Sequence, residues 1–210
     1  MGATDTGGTP PQAVPKVLIL GIGNILWADE GFGVRAVEEF HRRYVLPDNV
    51  TVLDGGTQGL YLVHFVNEAD FLLVFDAIDY GLKPGTLKIV CDDEVPKFTG
   101  AKKMSLHQTG FQEVLSAADL LGRYPRRLAL VGCQPLDLED WGGPLTEPVR
   151  AALGPALAAA CDLLRQWGLT VGERAGEAAE GHGLLGNDID FLNYEKRNAG
   201  ASHGEETGRI

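Results

Sequence analysis

Val17-Leu18-Ile19-Leu20-Gly21-Ile22-Gly23-Asn24, running on through Ile25-Leu26-Trp27-Ala28 into Asp29-Glu30-Gly31-Phe32-Gly33-Val34-Arg35, sets the architecture of the whole chain. Val17 to Ile22 reads as a short apolar strand. From Gly33 to Tyr44, Val34, Val37, Phe40 and His41 or Tyr44 recur at helical spacing. A strand, a polar glycine-bearing loop and an amphipathic helix in that order form the beginning of a parallel sheet covered by helices.

The same alternation continues to Leu169. Val50 to Leu53, Phe71 to Phe75, Thr86 to Cys91 and Leu128 to Gly132 read as further strands. Leu60 to Glu68 reads as a short helix, and Phe111, Val114, Leu115, Ala118 and Leu121 mark a third. The fourth helix spans Thr146 to Trp167, with Val149, Leu153, Ala156, Leu157, Ala160 and Leu164 inward, Gly168 as its stop and a kink expected at Pro155. Only the stretch from Asp76 to Gly85 separates the third and fourth strands, too little for a helical crossover, so the fourth strand should run antiparallel at an edge. The connection from Asp92 to Leu106 must then climb back across the sheet. Fully extended it reaches roughly 50 Å, against about 20 Å for a strand, so His107 arrives at the rim where the first three strands end. The expected fold is an α/β three-layer sandwich: about five strands in a mostly parallel twisted sheet, one antiparallel edge strand, and helices on both faces.

A length of 210 residues suits one well-buried domain, placed at residues 16–169. Residues 1–15 and 170–210 are rich in Gly, Thr, Glu and Ala and read as tails, the second carrying an apolar island at Leu184-Leu185 and Phe191-Leu192-Asn193-Tyr194. The formal charge of −11, with basic residues only in isolated pairs, argues against nucleic acid or an anionic membrane as partner. No apolar run approaches the roughly 20 residues of a membrane span and no signal peptide is visible, so a cytoplasmic protein is expected, as a monomer. Cys91, Cys133 and Cys161 lack metal-ligand spacing and read as reduced, small, buried side chains.

Ligands of open α/β sheets gather at the carboxyl ends of the strands. There this chain carries Asp29-Glu30 after the first strand, Asp54-Gly55-Gly56-Thr57 after the second, Asp76 and Asp79 after the third, and Ser105-Leu106-His107-Gln108 at a helix start. Ser105 and Gln108 have capping-box spacing, which puts His107 in a first helical turn where the dipole keeps an imidazole neutral. Glu30, Asp76 and His107 make a workable ligand set for a borderline divalent ion such as Ni²⁺ or Zn²⁺, although a capped helix with an ordinary histidine satisfies the same pattern. Gly21-x-Gly23, with Asp54 as ribose acid, suggests a dinucleotide site instead. Against that stand Leu26 at the third glycine position, the long interval to Asp54, and the acidic Asp29 and Glu30 where a pyrophosphate needs positive potential. No organic cofactor is expected. G-x-S-x-G and H-E-x-x-H are both absent, which removes support for serine and ordinary zinc peptidases. His41 and His64 sit on helices and read as surface or half-buried, and Trp27 as a wall beside the site.

From Lys16 to Trp167 the chain resembles the endopeptidases that mature [NiFe] hydrogenases. The resemblance runs through Ile19 to Leu26, Asp29 to Arg35, Asp54 to Thr57, Phe75-Asp76-Ala77-Ile78, Pro84-Gly85-Thr86, Ser105 to Gln108 and Leu130-Val131-Gly132-Cys133-Gln134-Pro135. It looks most like the branch serving membrane-bound uptake hydrogenases. The resemblance implies that Glu30, Asp76 and His107 are metal ligands, with Glu30 and Asp76 also in the catalytic set, and that Asp54 is a working carboxylate. It implies as substrate the nickel-loaded precursor of the hydrogenase large subunit, which loses a C-terminal extension, so that the nickel belongs to the substrate. Water activation by metal or by a carboxylate, in the manner of an aspartyl protease, both stay open, and a non-catalytic nickel-binding accessory module is the alternative. Nothing carries over to His182 or His203.

Overall fold

A computed structural model describes residues 13–95 and 106–174, with the backbone alone at 106–109. In chain order the elements are β1 (Val17–Ile22), the 3-10 turn η1 (Ala28–Gly31), α1 (Phe32–Arg43), β2 (Tyr44–Val45), β3 (Val50–Gly56), η2 (Gly59–Leu62) and α2 (Val63–Glu68). Then come β4 (Phe71–Ala77), β5 (Leu87–Cys91), α3 (Leu106–Leu120), β6 (Arg127–Cys133), α4 (Glu147–Gln166) and β7 (Gly172–Glu173). The main sheet has the order β3-β1-β4-β6-β5. All its neighbours are parallel except β5 against β6, the antiparallel edge strand that the short connection after Asp76 requires.

Side chains alternate across the sheet and build a core on each face. Val17, Ile19, Leu73, Phe75, Ala129 and Val131 pack against α1 and α4, where Phe32, Val37, Phe40, Val149, Leu153, Ala156 and Leu157 close the layer. Leu18, Leu20, Ile22, Leu72, Val74, Leu128 and Leu130 face the other way, against Leu62 and Val66 of the η2–α2 segment and Phe111, Val114, Leu115 and Ala118 of α3. The central strands therefore read as unbroken apolar runs, since both of their faces are covered.

Several details differ from expectation. The helix expected from Leu60 opens as 3-10 and becomes α-helical only at Val63. Strands β3 and β4 run on to Gly56 and Ala77, so Asp54 and Asp76 lie inside the strands and take fixed backbone positions. Pro155 lies within one 20-residue α4 helix and faces solvent, as does Ala151, whose carbonyl loses its helical donor there. Cys91 is exposed, unlike Cys133 and Cys161, because β5 is an edge strand with an outward face. Chain pairing continues past Leu169: Gly172 and Glu173 pair with Val45 and Tyr44, and the Arg174 N–H donates to the Arg43 carbonyl. The island at Leu184 to Tyr194 and most of both expected tails lie outside the described residues. Among the described residues no helix is long and apolar enough to cross a membrane.

Candidate active site

Glu30 is carried by η1, the turn that links β1 to α1. Gly23 has φ +136°, and a Cβ there would fall 1.9 Å from the Glu30 carbonyl oxygen, so only glycine lets the end of β1 pass beneath the turn. Next to Glu30, Asp29 is fully buried and braces the rim. Its carboxylate accepts hydrogen bonds from Leu136 N–H (2.8 Å), Asp137 N–H (3.0 Å), Thr146 N–H (2.8 Å) and the Thr146 hydroxyl (2.9 Å). The Asp29 N–H in turn donates to the Asp137 carbonyl. One carboxylate thus ties η1 to the loop after β6 and to the start of α4.

Asp76, 3% exposed, lies near the carboxyl end of β4, paired with Gly132 across β6. Strand β4 adjoins β1 and touches η1, so Asp76 and Glu30 stand on adjacent parts of one rim. The segment after β4 is fixed by Gln134, whose side-chain oxygen accepts from Tyr80 N–H (2.8 Å) and Leu82 N–H (3.0 Å) while its amide donates to Asp79 (2.9 Å). Asp79 also accepts the Gly81 N–H at 2.9 Å, so it serves this loop. Burial, and then the nearby Asp76 charge, hold the Tyr80 phenol well above its ordinary range, so it stays protonated at any working pH.

Asp54 lies on the other side of β1, level with Phe75, the residue before Asp76. Gly21 pairs with Asp54 in β3 and with Phe75 in β4, so the Asp54 backbone is about 10 Å from β4, two strand spacings. Its carboxylate is half-buried and accepts the Gly56 N–H at 2.8 Å. Burial raises its affinity for a proton, while that hydrogen bond and the positive charge of Arg35 pull the other way; the net shift is upward. Arg35, 1% exposed, is held by an ion pair to Glu38 at 3.0 Å.

His107 lies in the first turn of α3. Three residues on, a Cβ at Gly110 would stand 3.4 Å from the Gly59 Cα, just beyond the end of β3, which brings the start of α3 to the rim that carries Glu30, Asp54 and Asp76. The His107 and Gln108 side chains and the whole of Ser105 lie outside the described residues, and among the described ones no three His, Cys, Asp or Glu side chains form a metal-sized group. Trp27 walls the rim: its ring meets Trp141 edge-on at 4.9 Å, and Gly142 N–H donates to the Leu26 carbonyl. His41 is half-buried and His64 exposed, as expected. The bracing roles of Asp29 and Gln134 escaped sequence reasoning. Their only sequence signal was position, each a polar residue directly after a strand or its turn.

The profile of the hydrogenase maturation protease family (HycI) matches residues 34–163. The hydrogenase expression/formation protein HupD of Bradyrhizobium diazoefficiens is 72% identical over 184 residues, covering 88% of this chain and 96% of that protein. The hydrogenase 2 maturation protease of Escherichia coli K12 is 46% identical over 156 residues, 73% of this chain and 93% of that protein. The solved structure of the E. coli hydrogenase maturating endopeptidase HybD superposes with a TM-score of 0.72 at 43% identity, over 76% of this chain and 98% of that one. With the five-stranded, mostly parallel sheet and its antiparallel edge already in place, these matches show that the chain belongs to the hydrogenase maturation protease family, a family of peptide-bond hydrolases.

Proposed function

We propose that this protein removes the C-terminal extension of a [NiFe] hydrogenase large-subunit precursor already loaded with nickel, and that Glu30, Asp76 and His107 contact that nickel. The observation that carries the proposal is the convergence of the turn bearing Glu30, the strand end bearing Asp76 and the first turn of α3 on one rim. Two carboxylates and an imidazole suit a borderline divalent ion and leave positions open for ligands from the precursor. The nickel is then part of the substrate, and cleavage is licensed only once it has been inserted.

Anchoring through the metal holds the scissile bond against the rim, a positioning effect of large catalytic value. Asp54 is the candidate base for the attacking water, since its half-buried carboxylate takes a proton more readily than an exposed one. The family resemblance points to an uptake hydrogenase of the membrane-bound kind as the partner. Three free cysteines, one of them exposed, fit a reducing compartment such as the cytoplasm. Purified His107→Ala and Asp76→Asn proteins, mixed with nickel-loaded precursor and followed by the size change on a gel, should leave the precursor uncut while melting like the wild type. Normal processing by either would remove that residue from the site.

A further inference from the structure

Across three strands of the sheet, Asp76, Gly132 and Lys88 form one row: Asp76 pairs with Gly132 in β4 and β6, and Gly132 with Lys88 in β5. Directly paired residues share a sheet face, so the middle of this row is a gap between a carboxylate and an ammonium. Tyr80 fills it. A Cβ at Gly132 would stand 3.2 Å from both Cε2 and the hydroxyl oxygen of Tyr80, and the Lys88 ammonium lies over the same ring, 4.3 Å from its centre. The backbone of Tyr80 is pinned by Gln134, so the ring is delivered to this seat by a fixed loop. Its hydroxyl is buried and makes no hydrogen bond to any described residue. A buried donor left without an acceptor is costly, and such groups in native structures have a reason to be there.

We propose that Tyr80 is the positioning residue of Asp76: its hydroxyl, seated over Gly132, donates to the Asp76 carboxylate when that carboxylate takes up the nickel of the substrate. One carboxylate oxygen then faces the metal and the other is held by the phenol, an outer partner of the kind that orients metal-binding groups. Lys88, stacked on the ring, keeps the phenol from swinging outward. The inference rests on the reading of Asp76 as a nickel contact.

The test compares wild type, Tyr80→Phe and Asp76→Asn. Each is assayed for cleavage of nickel-loaded precursor and for binding of nickel-loaded and nickel-free precursor, with melting temperatures recorded. Tyr80→Phe keeps the ring and loses only the hydroxyl. It should melt like the wild type, bind nickel-free precursor unchanged, and bind the nickel-loaded form about tenfold more weakly, as expected for one hydrogen bond to a charged group, with the loss in kcat/KM carried by KM. Cleavage and binding within twofold of wild type, with Asp76→Asn inactive, would overturn the role of Tyr80 and leave the site intact. Equal weakening toward both precursors would show a merely structural role and overturn it too. Normal cleavage by Asp76→Asn would overturn the inference together with the reading beneath it.

Discussion

Replacing Asp29 by alanine removes the brace that holds the rim together. The fully buried carboxylate accepts three backbone N–H groups and one hydroxyl, from Leu136, Asp137 and Thr146. Hydrogen bonds to a charged acceptor contribute about 1.5–3 kcal/mol each, but the four donors are only part-buried and regain some water when the loop relaxes, so a simple sum overshoots. A loss of about 3–5 kcal/mol follows, a large share of the roughly 5–15 kcal/mol that holds a domain folded. At this chain length that lowers Tm by about 6–20 °C. Asp29→Asn, which keeps one acceptor oxygen and much of the shape, should lose about half as much. Urea titration monitored by circular dichroism, together with calorimetric melting, gives both numbers. A Tm within about 3 °C of wild type for Asp29→Ala, corresponding to less than about 1 kcal/mol, would refute the assignment of Asp29 as a brace.

Other perturbations separate stability from chemistry at the same rim. Burial raises the Asp54 carboxyl above its ordinary 3.8, so its favourable contribution to folding is present below that pH and is lost as pH climbs through the raised value. Asp54→Asn should therefore be at least as stable as wild type at pH 7, with no advantage left near about pH 3.5, while kcat falls by roughly a hundredfold if Asp54 is the base; melts at the two pH values and a cleavage time course check the two halves. Among the thiols, Cys91 is exposed, Cys161 is buried, and Cys133 is buried with its thiol pushed up to about 12 by burial and by the Asp29 charge. A chromogenic disulfide reagent should titrate one thiol quickly in the native protein and all three after unfolding, and fast labelling of Cys133 in the native state would contradict its packing.

What could be read in the sequence was whatever leaves a local trace. The apolar run Val17 to Ile22, the helical spacing of Val34, Val37 and Phe40, and the short step after Asp76 together specified a mostly parallel sheet with an antiparallel edge, because periodicity and connection length are written along the chain. The rim location of Glu30, Asp54 and Asp76 followed from the same logic, as Asp54 and Asp76 lie near the carboxyl ends of β3 and β4 and Glu30 in the turn that follows β1. Long-range polar partners leave no such trace. The bond from Thr146 to Asp29 spans 117 residues and that from Tyr80 to Gln134 spans 54, and neither has a period or a spacing to reveal it. Likewise, the pairing of Tyr44 and Val45 with Gly172 and Glu173 uses two-residue strands too short to show a pattern. Cys91 reads as buried because free cysteines usually are, yet it is exposed, and Ile89 two residues before it is 47% exposed, because the outer face of an edge strand is only partly covered.

The role of nickel as the licence for cleavage comes down to one comparison: purified protein mixed with the same large-subunit precursor in nickel-loaded and nickel-free form, with the size change followed over time. Cleavage of the loaded precursor alone, abolished in both Asp76→Asn and His107→Ala, is the predicted result. Equal cutting of the two precursors by the wild type would contradict it.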